Sequence, residues 1–356
     1  MKTAQELLRK RSVKELGDIS FRCQLNPPAE KPRNKDSWIA PILQRYADVD
    51  FLRRLVGWET LHSLRCIYEF ILDDDELEAL RARAVPQPLR RRLLSTMDEN
   101  TMERLARLGL AWRDRESWYL SWELLCAYAM TGEEEEALLT ADRLYCVMRA
   151  AMNYYGLLTA EEMNALLLET GASLPGNPLQ TWQMREGLEG FVSLGGIPYY
   201  RSAWMKDAEA CWNAWQNPPM KDAPWRRATA EQLLSDSLSQ YGATEESTHP
   251  VFALAEKYHL DPQQAPWLIT EAVRLRQQSF RYASRQLLQE GLEDGGVPEE
   301  LASLVASVFV DSIRLWSAKG RTEREAMTLA VPKVAFSKPC PCGSGVPYGR
   351  CHGKGN

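Results

Sequence analysis

Apolar side chains recur at spacings of three and four along most of this chain, the signature of amphipathic helices. Across 299–318 they fall at Leu301, Leu304, Val305, Val308, Phe309, Leu315 and Trp316, which reads as one helix face. Ala230, Leu233, Leu234, Leu238 and Tyr241 repeat the pattern over 230–241. Thr159 and Glu162 form a capping box ahead of Met163 to Leu167,. Gly171 is placed to end that helix and Gly156 the one before it, so 137–171 is expected to be a helical hairpin,. The acidic run Glu133 to Glu136 reads as a solvated helix start, where the macrodipole favours negative charge,.

Two places break the helical rhythm. Leu110-Ala111-Trp112 and Trp118-Tyr119-Leu120 flank the polar Arg113-Asp114-Arg115-Glu116, and Phe191 to Leu194 and Ile197 to Tyr200 flank Gly195-Gly196. A two-residue Gly-Gly connection permits the positive φ of a tight hairpin. Each hairpin follows two or three expected helices, the order of a winged-helix module. The fold class is therefore mainly α, with two winged-helix-like modules and a small extended C-terminal tail. The first module carries Arg90-Arg91-Arg92, Arg104 and Arg107 near its helices and Arg113 and Arg115 in its wing, beside an acidic Asp73 to Glu76. The second has no basic cluster. That favours modules packed against each other over two DNA readers.

The expected segments are 1–46, a helix–loop–helix; 47–130 and 131–215, the two winged-helix-like modules; 216–318, helical; 319–337, a polar linker holding Pro332; and 338–356, the tail. The chain has 45% hydrophobic and 26% charged residues, ordinary globular composition,. No run approaches a membrane span and the N-terminus lacks the apolar core of a signal peptide, so a cytoplasmic protein is expected. Of eight cysteines, Cys66, Cys126, Cys146 and Cys211 stand singly in apolar helical stretches and read as small hydrophobes, while Cys23 lies in a polar loop,.

Charge is uneven. Residues 1–36 hold nine Lys/Arg against five Asp/Glu and 319–356 hold seven against two, so 37–318 carry 27 basic and 41 acidic side chains, a net of −14. Two basic ends on an acidic body are compatible with ends that touch anionic partners, and equally with ordinary solubility.

The remaining three cysteines cluster with a histidine. From Lys338 the chain runs Lys-Pro-Cys-Pro-Cys-Gly-Ser-Gly-Val-Pro-Tyr-Gly-Arg-Cys-His-Gly. A segment this short cannot bury a core and needs a staple. Three thiolates and an imidazole, from Cys340, Cys342, Cys351 and His352, suit a closed tetrahedral zinc site of one ion per chain, with no open position for catalysis. The segment resembles the SEC-C motif, the zinc-binding tail of the SecA translocase ATPase, at Cys340, Cys342, Gly343, Ser344, Gly345, Tyr348, Cys351, His352 and Gly353. The resemblance implies zinc and a docking role. It departs at Val346 and Pro347, where the family commonly has basic residues. No Gly-x-x-x-x-Gly-Lys-Ser/Thr nucleotide loop occurs in the chain,.

Val13 to Ser20 and Asn34 to Leu43 frame a loop with Pro27-Pro28, an arrangement similar to the small N-terminal domain of transcription terminator Rho and to SAP domains. That resemblance implies nucleic-acid contact, with Lys31, Arg33 and Lys35 as phosphate-facing candidates. A plain helical cap on the following domain is the competing reading.

No catalytic constellation emerges. His62 lies in an apolar helix, His249 precedes Pro250, and His259 ends a helix, none at a recognisable spacing from a nucleophile or carboxylate,. Trp204, Trp212 and Trp215 recur at helical spacing and are expected in a core. The sequence thus points to a non-enzymatic bacterial adaptor that docks a protein partner, with no membrane and no small-molecule substrate. The alternative is a nucleic-acid-associated factor in transcription or defence that uses the N-terminal domain and first winged helix.

Overall fold

The structure is a computed structural model that describes residues 2–26, 34–68, 74–82, 99–114, 117–171, 176–202, 204–217, 220–236, 296–309 and 314–322, with scattered positions elsewhere from 174 to 350. It is mainly helical with two small antiparallel sheets. The chain divides into two compact units, residues 1–148 with 172–191, and residues 149–171 with 192–356.

In the first unit, α1 (Ala4–Leu8), α2 (Val13–Arg22), α3 (Asp36–Tyr46), α4 (Val49–Val56), α5 (Trp58–Tyr68), α6 (Asp74–Arg81) and α7 (Glu99–Arg107) lead into the hairpin β1 (Ala111–Asp114) and β2 (Ser117–Leu120), then α8 (Trp122–Tyr128) and most of α9 (Gly132–Tyr155). Local chemistry starts these helices: Thr3 with Glu6 and Ser12 with Glu15 are reciprocal capping boxes, and the Asp48 carboxylate accepts from Phe51 N at 3.0 Å,. Their apolar faces meet in one cluster in which Leu8, Leu16, Ile39, Ile42, Leu52, Leu105 and Leu124 are all buried. The N-terminal helices are part of that core. Tyr46 Oη donates to Leu108 O at 2.9 Å, and Ala4 N donates to Glu123 at 2.7 Å.

The first hairpin pairs Trp112 with Tyr119 and Arg113 with Trp118. Arg113 and Asp114 therefore belong to β1 rather than to the turn where the sequence placed them: beyond the stacked Trp112 and Tyr119 the ladder runs on towards the turn for two more pairs, Arg113 with Trp118 and Asp114 with Ser117,. At the acidic start of α9, Glu133, Glu134 and Glu136 are exposed as expected and Glu135 is half-buried, and the run also makes ion pairs: Glu134 bonds Arg53 at 2.8 Å and Glu135 bonds His62 at 2.6 Å.

In the second unit, the end of α9 is followed by β3 (Leu157–Thr159) and α10 (Ala160–Glu169). Gly156 (φ 71) and Gly171 (φ 62) end these helices, and the Thr159–Glu162 capping box opens α10. The expected hairpin of two helices over 137–171 needs one correction, the strand between them. Leu157 and Leu158 are buried, and they pair with Arg201 and Tyr200 of β5. After α11 (Pro178–Glu186), which belongs to the first unit, β4 (Phe191–Leu194) and β5 (Ile197–Arg201) complete a sheet of order β3-β5-β4. Gly195 (φ 58) and Gly196 (φ 81) form the connecting turn as read from the sequence,.

Then come α12 (Ala208–Trp215), α13 (Ala230–Asp236) and α14 (Glu299–Phe309). Trp215 is buried and Trp212 packs on the same cluster, but Trp204 precedes α12 and is 39% exposed. Its spacing was coincidental, since the helix begins at the Asp207 cap. The helix face drawn across 299–318 is also two things. Leu301 and Val305 are buried on α14, whereas Leu304 faces solvent, and Leu315 and Trp316 belong to a separate turn.

That turn packs the first residues of the linker expected over 319–337. Leu315 N donates to Arg321 O at 2.8 Å, Lys319 adopts φ 53, and Gly320 (φ 79) follows. Trp316 is fully buried, donating Nε1 to Asn153 O at 3.1 Å and accepting from Trp215 Nε1 at 2.8 Å. Lys319 Nζ donates to Ala223 O at 3.0 Å and Arg321 is buried. A polar sequence is held in place here because its backbone groups and the Lys319 ammonium find partners within the unit,. No described helix is long and apolar enough to cross a membrane.

Candidate functional site

The expected metal ligands Cys340, Cys342, Cys351 and His352 lie outside the described residues, as do Lys338 and Tyr348. Among the described residues no group of three His, Cys, Asp or Glu is placed to hold a metal ion. Three positions of the tail are described. Val346 is 40% exposed, Arg350 is exposed, and Arg350 N donates to Pro347 O at 2.9 Å.

The donor set fits zinc. Thiolates and imidazole are its preferred ligands, and four of them leave no site for water. Two cysteines of the body, Cys23 and Cys211, are unsuited to the task. Burial pushes the Cys23 thiol up to about 12 against the opposing pull of Arg45 and Arg22, and burial likewise raises Cys211, so both stay protonated,. Cys23 caps α2 and is fully buried, not in the polar loop that the sequence suggested. Cys126 is buried and Cys146 half-buried, both as free thiols.

Of the candidate nucleic-acid contacts, Lys31 and Arg33 lie outside the described residues. Lys35 Nζ donates to Arg9 O at 3.3 Å, within the helices it was expected to extend from. Arg104, read as a basic residue of the first module, is half-buried and bonded to the protein itself. Its guanidinium donates to Thr60 Oγ1 at 2.7 Å, and burial, with Arg185 nearby, lowers its pKa. Arg113 lies 5.8 Å from the Trp118 ring. An arginine on an amphipathic helix reads the same in sequence whether it faces phosphate or a neighbouring helix.

The fold also assembles a group that spacing could not disclose. His62 stacks on Trp58 with ring centroids 4.8 Å apart, its Nδ1 lies 2.6 Å from Glu135, and Arg65 bonds the other Glu135 oxygen. His62 and Glu135 are 73 residues apart in sequence. With Arg65 on the same carboxylate, the group has the composition of an ion-pair cluster.

Among families of known proteins, the SEC-C motif matches residues 337–354, which is 18 of 356 residues and contains all four candidate ligands. No curated protein and no solved structure matches the chain.

Proposed function

We propose that the SEC-C tail binds one zinc ion through Cys340, Cys342, Cys351 and His352, and that the protein is a non-enzymatic adaptor whose tail docks a protein partner. The carrying observation is the family match at 337–354, which contains three thiols and one imidazole at the motif's offsets. Zinc bound this way would be structural: it would hold a segment too short for a core, with no coordination position left for chemistry.

A protein partner is supported by the exposed Val346 next to Pro347, an apolar step where related tails are basic. Lys35 and Arg104, two of the cations a nucleic-acid reading requires, make bonds to the protein itself. The second hairpin supports a winged-helix-like module through its order of α9, β3, α10, α11, β4 and β5. Here α11 packs on α2 within the first unit, with Gln183 Nε2 donating to Phe21 O at 2.7 Å, so the module reads as scaffold.

Metal analysis of the purified chain is the test. One zinc per chain is expected, and it should be lost in Cys340→Ser/Cys342→Ser while the helical body melts unchanged. Full zinc retention in that variant overturns the assignment.

A further inference from the structure

Glu325 sits at the centre of a cluster of arginines in the second unit. One of its oxygens accepts from Arg226 Nε at 2.9 Å, and the other from Arg314 at 2.7 Å and from Thr322 N at 2.9 Å. A third guanidinium, Arg321, is next in chain to Thr322 and only 9% exposed, and its Nη1 has no hydrogen-bond acceptor among the described residues. A buried guanidinium donor without an acceptor costs free energy, because water that would bond it has been removed. The charges facing Arg321 are the Glu325 carboxylate and the Arg226 guanidinium. Lys319 adds a further cation whose field is shared with Arg321 and opposed by the acids Asp222 and Glu162.

We infer that Arg226, Arg314 and Arg321 form a binding site for a phosphate group, in which Glu325 occupies the anion position when the ligand is absent. Three guanidinia against one carboxylate leave a surplus of two positive charges. A phosphate monoester near pH 7 carries about −1.5 to −2, which matches that surplus where a second carboxylate would not. Guanidinium forks are suited to phosphate oxygens, and the backbone N–H of Thr322 is a further donor. The cluster is partly solvent-accessible: Arg226 and Glu325 have side chains 29% and 38% exposed, against 17% for Arg314 and 9% for Arg321. Burial lowers the pKa of Arg321 and Lys319, each a cation whose charge an incoming anion would stabilise. The segment is polar in sequence and reads as linker, so only the packed turn at 315–321 brings the three arginines together.

The test is calorimetric titration of the full chain with inorganic phosphate and, separately, with adenosine monophosphate, against chloride at matched ionic strength. Saturable one-site phosphate binding is expected. Arg321→Gln should weaken it about tenfold or more. Glu325→Gln removes the internal competitor and should tighten it, a gain that misfolding cannot imitate. Cys340→Ser/Cys342→Ser should leave it unchanged, which separates the site from the zinc tail. Tighter binding of the monophosphate would assign a phosphomonoester ligand, and equal binding the free ion. Absence of saturable heat with both, an unaltered affinity in Arg321→Gln, or weaker binding in Glu325→Gln would each overturn the site.

Discussion

Arg185 and Asp142 meet at 2.7 Å with side chains 3% and 9% exposed, a closed ion pair between α11 and α9 in the first unit. Asp142 also accepts from Trp58 N at 2.8 Å, at the start of α5, and Arg185 donates to Arg54 O at 3.2 Å, near the end of α4. The guanidinium lies 4.2 Å from the Tyr145 ring. Burial alone would lower the Arg185 pKa, but the Asp142 carboxylate and the Tyr145 hydroxyl outweigh it and keep the cation charged. Gly57 (φ 92) makes the arrangement feasible, since a Cβ there would lie 1.9 Å from an Arg185 nitrogen.

Removing one partner of this pair should be far worse than removing both. Asp142→Ala leaves a buried guanidinium uncompensated and should cost about 3–5 kcal/mol in urea unfolding of the full chain. Asp142→Leu with Arg185→Met should recover most of that loss, because the desolvation penalty disappears with the charges. Equal losses in the single and double variants would mean that the backbone contacts to Trp58 and Arg54 carry the stability.

Stability should fall on the acid side partly through Glu134. Burial would raise this carboxyl, but hydrogen bonds from Arg53 and Thr131 outweigh it and hold it below the ordinary carboxylate range. A pKa lower in the folded than in the unfolded state stabilises fully above the unfolded value, and the gain is lost as pH falls through the folded one. Glu134→Gln should therefore lower the melting temperature at pH 7, by an amount equivalent to about 1 kcal/mol or less because Glu134 is partly exposed. The gap should narrow below about pH 4. A gap that stays constant down to pH 3 would assign the effect to packing alone.

Limited trypsin digestion should spare Lys319 and Arg321 while the body is folded. Lys319 is tied through Nζ to Ala223 O, and Arg321 is buried in a turn closed by backbone hydrogen bonds,. Rapid cleavage after either residue, before any within α1–α14, would show that the turn opens on its own.

Much of the architecture was legible. The Gly195-Gly196 hairpin, the Thr159–Glu162 cap and the glycine stops at 156 and 171 are local devices, each decided by a few adjacent residues, and they stand where their chemistry put them. Errors arose where a pattern outran its local cause. Leu315 and Trp316 continue the spacing of α14 yet belong to another turn, because apolar period records burial and not which element is buried. Lys319-Gly320-Arg321 looked like a tether because polar composition does not reveal whether a polar group has a partner inside the fold.

The sequence by itself determined the chemistry of the tail. Three thiols and an imidazole within 13 consecutive residues are a donor set whatever the body does, since chain proximity alone can deliver them to one ion,. Tertiary structure alone decided the long-range electrostatics. Arg185 with Asp142, His62 with Glu135, and Arg226 and Arg314 with Glu325 are separated by 43, 73, 99 and 11 residues, respectively. Charged side chains on helices look alike in sequence, and their roles are set by which neighbour excludes water from them, a property of packing that no local pattern encodes.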